Sequence, residues 1–110
     1  MEYPHYYELL DMLEPYNIST QPFRIKDHQY KCGYVSLPSK QIVLNEKNSY
    51  KGNLETISHE VMHLYYNKVG MDMSEEMIEQ LGMKYLNIYP EYYEGLETKL
   101  GDLYDTKRTC

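Results

Sequence analysis

The chain has 110 residues, which fits one small domain built on a single core. Its formal net charge is -6 and no basic cluster interrupts that balance, which argues against a nucleic-acid-binding surface. No apolar run reaches the length of a membrane span and no charged-then-apolar leader opens the chain, so the expected location is cytoplasmic, with no membrane partner.

The first predicted element is a helix. Tyr6, Tyr7, Leu9, Leu10 and Leu13 follow Pro4, and Glu14-Pro15 stops them. Strand-like sequence comes next. Residues 22–26 alternate apolar and polar, and the run from Tyr30 to Leu37 contains Tyr34-Val35, with Gly33 marking a bulge or a close approach. Pro38-Ser39-Lys40 is a turn and Gln41 to Asn45 a further strand. The runs on either side of that turn predict a hairpin, to which Phe23 to Lys26 adds a third strand. Asn45 to Asn53 is a polar loop.

Apolar residues at Leu54, Ile57, Val61, Leu64, Tyr65 and Val69 then make a helical stripe. Asn53 fits its N-cap, and Gly70 stands where a left-handed C-terminal residue belongs. A turn at Met71 to Ser74 leads to another helix, capped by Asp72 or Ser74. Asp72 with Glu75 resembles a capping box. Its apolar face is Ile78, Leu81, Gly82, Tyr85 and Tyr89, and Pro90 ends it. A last helix runs from Glu91 through Tyr92, Leu96, Leu100 and Leu103, with about five frayed residues after it. One helix, a few strands and then helices predict an α+β fold, one domain over residues 1–110.

Two side-chain inventories stand out. Fourteen tyrosines and no tryptophan imply a core completed by tyrosine rings with their hydroxyls at the rim. The two cysteines, Cys32 and Cys110, lack metal-ligand spacing, and a reduced compartment is the simpler reading.

The chemistry concentrates in His59-Glu60-Val61-Met62-His63, an H-E-x-x-H run in the middle of the predicted stripe helix. On a helix, residues four apart project from one face, so His59 and His63 supply two corners of a tetrahedral zinc site. Glu60 points to the neighbouring flank, where a carboxylate reaches a metal-held water without displacing it. Catalytic zinc takes three protein ligands as a rule. The histidine that would extend the motif is missing, because Tyr66 and Val69 occupy the needed positions, and His5 and His28 lie far upstream. The acidic start of the next helix is the better source. With Ile78, Leu81, Gly82, Tyr85 and Tyr89 as the buried arc, Glu75 and Glu79 share its edge and Glu76 faces solvent. Glu75 is the expected ligand. Glu79 is the expected outer-shell acceptor for a ring N–H of a ligating histidine, and the alternative ligand should the two roles be exchanged. Carboxylates in a first helical turn also serve the helix dipole without any metal.

Three segments resemble the small gluzincin-like metallopeptidases of the ImmA/IrrE type, including minimal phage-encoded versions. They are T-I-S-H-E-V-M-H at Thr56 to His63, E-E-M-I-E-Q-L-G at Glu75 to Gly82, and Gly33-Tyr34-Val35 followed by Gln41 to Asn45. The second is similar to the family's E-x-x-A-N-x-F-A helix, with Glu75 at the ligand position, Ile78 and Gly82 at the small positions and Glu79 at the Asn position. The resemblance covers about Pro22 to Leu86. It implies a minimal zincin-like domain with a small antiparallel sheet flanking the H-E-x-x-H helix. It also implies a strand at Ile42, Val43 and Leu44 whose edge receives an extended peptide. Ile78-Glu79 replaces the usual Ala-Asn, and no DNA-binding helix-turn-helix is attached.

The expected function is a zinc peptidase with one Zn²⁺ per chain, Glu60 as general base, and a peptide or protein as substrate. The oxyanion needs a donor beyond the metal; a tyrosine or His28 is the candidate type, with Tyr85 and Tyr89 equally suited to the core. The competing expectation is a zinc-stabilised binding or regulatory module that keeps the fold without the catalysis.

Overall fold

Helix α1 (Tyr6–Leu13) starts on a cap supplied by its own sequence. The His5 ring accepts from the Tyr7 N–H, and the Glu8 carboxylate accepts from the His5 N–H at 2.7 Å, a reciprocal capping box. The computed structural model describes residues 3–21 and 33–108, the stretch 102–108 as helical backbone. The expected strand at Phe23 to Lys26, the start of the Tyr30 run, His28 and both cysteines lie outside the described residues.

Among the described residues three strands follow α1: β1 (Asn17–Gln21), β2 (Gly33–Ser36) and β3 (Gln41–Asn45). The order across the sheet is β1-β3-β2. β2 and β3 form the expected antiparallel hairpin, with Val35 opposite Ile42. Its turn ends on Lys40, which adopts a left-handed φ of 51°. β1 was not legible as a strand, since Asn17-Ile18-Ser19-Thr20-Gln21 has one apolar residue and no alternation.

β1 pairs with β3 in parallel, Ile18 opposite Ile42, so the expected antiparallel sheet is a mixed one. The reason is topological. β1 and β2 run in opposite directions, as do β2 and β3. β3 inserts between the other two and therefore meets β1 running the same way. The same insertion corrects the expected peptide-receiving strand. Ile42, Val43 and Leu44 are buried in the central strand, with both hydrogen-bonding edges already paired. An incoming peptide has no edge to join there.

α2 (Tyr50–Val69) begins a turn earlier than its stripe implied. Ser49 is the N-cap, its Oγ accepting from the Gly52 N–H at 3.0 Å, and the expected cap, Asn53, is buried inside the helix. Leu54, Ile57, Val61 and Leu64 are buried as the periodicity implied. Ser58, Met62 and Tyr66 are buried too, because α3 and α4 cover a second side of the helix, while Val69 is exposed. Gly70 closes α2 at a φ of 73°.

α3 (Glu75–Ile88) is capped by Ser74, which settles the choice between Ser74 and Asp72. Ile78, Leu81, Gly82 and Tyr85 face inward as expected, joined by Leu86, whereas Tyr89 caps the C-terminus and is exposed. Pro90 stops α3 and opens α4 (Pro90–Arg108), which buries Tyr92, Leu96 and Leu100. One apolar cluster joins α1, β3 and the three later helices. The architecture is α+β, four helices and a mixed three-stranded sheet among the described residues. No helix among them is long and apolar enough to cross a membrane.

Candidate metal centre

His59 and His63 lie one turn apart in the middle of α2, and Glu75 is the first residue of α3 after its Ser74 cap. The four-residue turn between the helices, Met71 to Ser74, folds α3 back so that this first residue meets the histidine face. The Glu75 carboxylate reaches both rings, Oε2 lying 3.1 Å from His59 Nε2 and Oε1 2.9 Å from His63 Nε2. The two Nε2 atoms are 3.1 Å apart. Among the described residues this trio is the cluster able to hold a metal ion.

The donor set fits a cation. Tetrahedral ligands bonded to zinc at about 2.0–2.1 Å stand about 3.3 Å from one another. The three separations here, 2.9, 3.1 and 3.1 Å, fall just inside that edge length. Without an ion the arrangement is awkward. Two neutral rings bring Nε2 to Nε2, which sets either two lone pairs or two N–H groups against each other unless the tautomers differ. A cation at the centre lets both lone pairs and the carboxylate point the same way. Glu75 also satisfies the first turn of α3, where acidic residues are favoured. That role needs neither imidazole, so it does not account for the two short contacts.

The trio opens into a cavity of about 450 Å³. Thr56, His59, Glu60 and His63 from α2, Glu75, Glu79 and Met83 from α3, and Gly33 from β2 are among its lining residues. Glu60 is half-buried and shares this space with the ligand trio. Glu79 is on the wall one turn beyond Glu75, but among the described residues it makes no hydrogen bond to either ring. No tyrosine is among the described lining residues. The Tyr85 hydroxyl donates to the Pro4 carbonyl in the interior, and the Tyr89 ring stacks near Tyr6 and Tyr85. His5 is the α1 cap, away from the site.

What holds the two helices at this separation was not read from the sequence. A Cβ placed on Gly82 would sit 3.2 Å from Ser58 Oγ and 3.4 Å from the His59 backbone nitrogen. α3 therefore presses its backbone against α2 beside His59. Ser58 is fully buried there; its Oγ donates to the Gly82 carbonyl at 2.8 Å and lies 2.8 Å from the Tyr92 hydroxyl of α4. Serine has one hydroxyl proton, which the carbonyl takes, so Tyr92 is the donor in the second bond. Burial pushes the Tyr92 phenol well above its ordinary value and keeps that donor protonated. The sequence signal was a pair of small residues on facing helices, one of them adjoining His59.

Neither family models, nor curated proteins, nor solved structures include a match to this chain.

Proposed function

We propose that the chain is a zinc-dependent peptidase of the minimal zincin type. The observation that carries this reading is the convergence of His59 Nε2, His63 Nε2 and the Glu75 carboxylate at the wall of an open cavity that also holds Glu60. A zinc ion held by that trio supplies Lewis acidity toward a carbonyl and lowers the pKa of a coordinated water to about 7. Glu60, on the same cavity wall, would serve as the general base, taking a proton from the attacking water and returning it to the leaving amine. Glu79, on the cavity wall one turn beyond Glu75, would be the residue that orients a histidine ring in a filled site. The motif resemblance to ImmA/IrrE-type peptidases points the same way.

A zinc-stapled binding module would need a closed ligand set. Three donors beside an open cavity favour the catalytic reading instead. The decisive experiment is metal analysis of the purified protein, followed by digestion of a broad peptide library with and without chelator. Stoichiometric zinc and chelator-sensitive cleavage are expected. Glu60→Gln should keep the zinc and lose about 10²–10⁴-fold in cleavage rate. Absence of bound metal after zinc loading overturns the proposal, and unchanged cleavage by Glu60→Gln removes Glu60 as the base.

A further inference from the structure

Two buried hydroxyls outside the ligand trio have no part in the chemistry proposed above, yet they sit where three helices meet directly behind a ligand. Tyr92 of α4 donates to Ser58 of α2, and Ser58 donates to the Gly82 carbonyl of α3. Ser58 and Tyr92 are fully buried, so neither bond competes with water. Ser58 adjoins His59 in the chain, and Gly82 lies two helical turns after Glu75. The relay thus pins the point about which α3 pivots against α2.

The lever is long and the tolerance small. Glu75 stands about 10 Å along the α3 axis from Gly82, so a tilt of about 5° moves its carboxylate by about 1 Å. Metal–ligand distances hold to within about 0.2 Å. A helix pair located by apolar contacts alone slides more freely than that, since such contacts are non-directional. Directional hydrogen bonds at the pivot remove the freedom.

We propose that Ser58 and Tyr92 are positioning residues of the metal centre: their hydrogen-bond relay to Gly82 sets the α2–α3 crossing that delivers Glu75 to His59 and His63. The relay thereby controls metal affinity and coordination geometry from outside the ligand set. This rests on the metal-site reading above, and the test separates the two.

The test uses the full chain and Co²⁺ as a spectroscopic probe, with Zn²⁺ competition for affinity. Each variant is titrated at a temperature where circular dichroism shows it folded. Tyr92→Phe removes one hydroxyl and keeps the ring; Ser58→Ala removes both bonds. Tyr85→Phe is the control, because it deletes a buried phenol bond on α3, to Pro4, while keeping the ring that packs against Tyr92 and leaving both relay bonds in place. The expected result is a Zn²⁺ affinity reduced about tenfold or more in Tyr92→Phe, at least as much in Ser58→Ala, and little changed in Tyr85→Phe. The Co²⁺ ligand-field spectrum should shift in the first two only. If wild-type protein binds Co²⁺ but the relay variants match it in affinity and spectrum, the positioning role is overturned and the metal site stands. An equal loss in Tyr85→Phe overturns it as well, by showing a general effect of stability. If wild-type protein binds neither ion, both readings fall together.

Discussion

Glu75 and Glu79 are the same residue type one turn apart on one helix, and the structure gives them different surroundings. Glu75, at the first position of α3, touches both imidazoles, whereas Glu79 borders the cavity one turn further along. Loss of an outer-shell partner of a metal ligand typically costs about 10–100-fold in affinity, and loss of a ligand more. Glu79→Ala should therefore weaken zinc binding by about 100-fold at most, and Glu75→Ala by clearly more, as read by competition with a chromophoric chelator. The reverse order would exchange the two roles. The convergence of His59, His63 and Glu75 was legible in the sequence because it obeys helical arithmetic. His59, Glu60 and His63 are fixed relative to one another by their spacing, and Glu75 by its place at the edge of an apolar arc. Ser58 and Tyr92 were not legible, since a buried hydroxyl leaves no periodic trace. Serine in a helix and tyrosine in a tyrosine-rich chain look ordinary until the partner helix is in place.

Elements with one strong internal signal were read correctly, and those defined by their neighbours were not. α1, the β2–β3 hairpin, α3 and α4 follow from caps, turns and apolar spacing carried in their own residues. β1 is mostly polar and becomes a strand by docking along β3, a non-local event. The start of α2 escaped for a related reason. Tyr50, Lys51 and Gly52 are exposed or half-buried and add nothing to an apolar stripe, so the stripe began after the helix did. Gly33 belongs to the legible group, as a residue marking close approach, and the contact can be tested. A Cβ there would lie 2.7 Å from the Val43 carbonyl oxygen and 3.0 Å from Thr56 Cγ2, with backbone on one side and a helix on the other. Gly33→Ala should force β2 away from β3 and α2 and destabilise the fold by about 1–3 kcal/mol, the usual cost of overpacking. Urea denaturation with the metal removed would measure it. A midpoint equal to that of the wild type would mean that β2 yields without cost.

At the scale of the whole molecule, the tyrosine content becomes a property of the fold rather than of the site. Burial raises the phenols of Tyr66, Tyr85 and Tyr92 above their ordinary value; neighbouring tyrosines add to the effect at Tyr66 and Tyr85, and Tyr85 adds to it at Tyr92. In the unfolded chain these groups lose their protons near pH 10, as any tyrosine does. The folded protein keeps them protonated to higher pH, so above about 10 the unfolded state binds fewer protons than the native one. Stability is then complete below about pH 10 and falls as pH climbs beyond it, by up to about 1.4 kcal/mol per pH unit for each such group. Tyr85 and Tyr92 together set an upper limit of about 3 kcal/mol per unit on that slope, steep beside the total of about 5–15 kcal/mol that holds a domain folded. The fold should therefore open in alkali over a narrow range, with tyrosinate absorbance and loss of helical circular dichroism rising together. Tyr85→Phe separates the two contributions of that residue. Loss of its bond to the Pro4 carbonyl lowers stability at neutral pH, while loss of a titrating group flattens the alkaline slope. Urea midpoints at pH 8 and pH 11, taken in chelator, should lie closer together in Tyr85→Phe than in the wild type. An equal or wider gap would show that Tyr85 does not drive the alkaline opening.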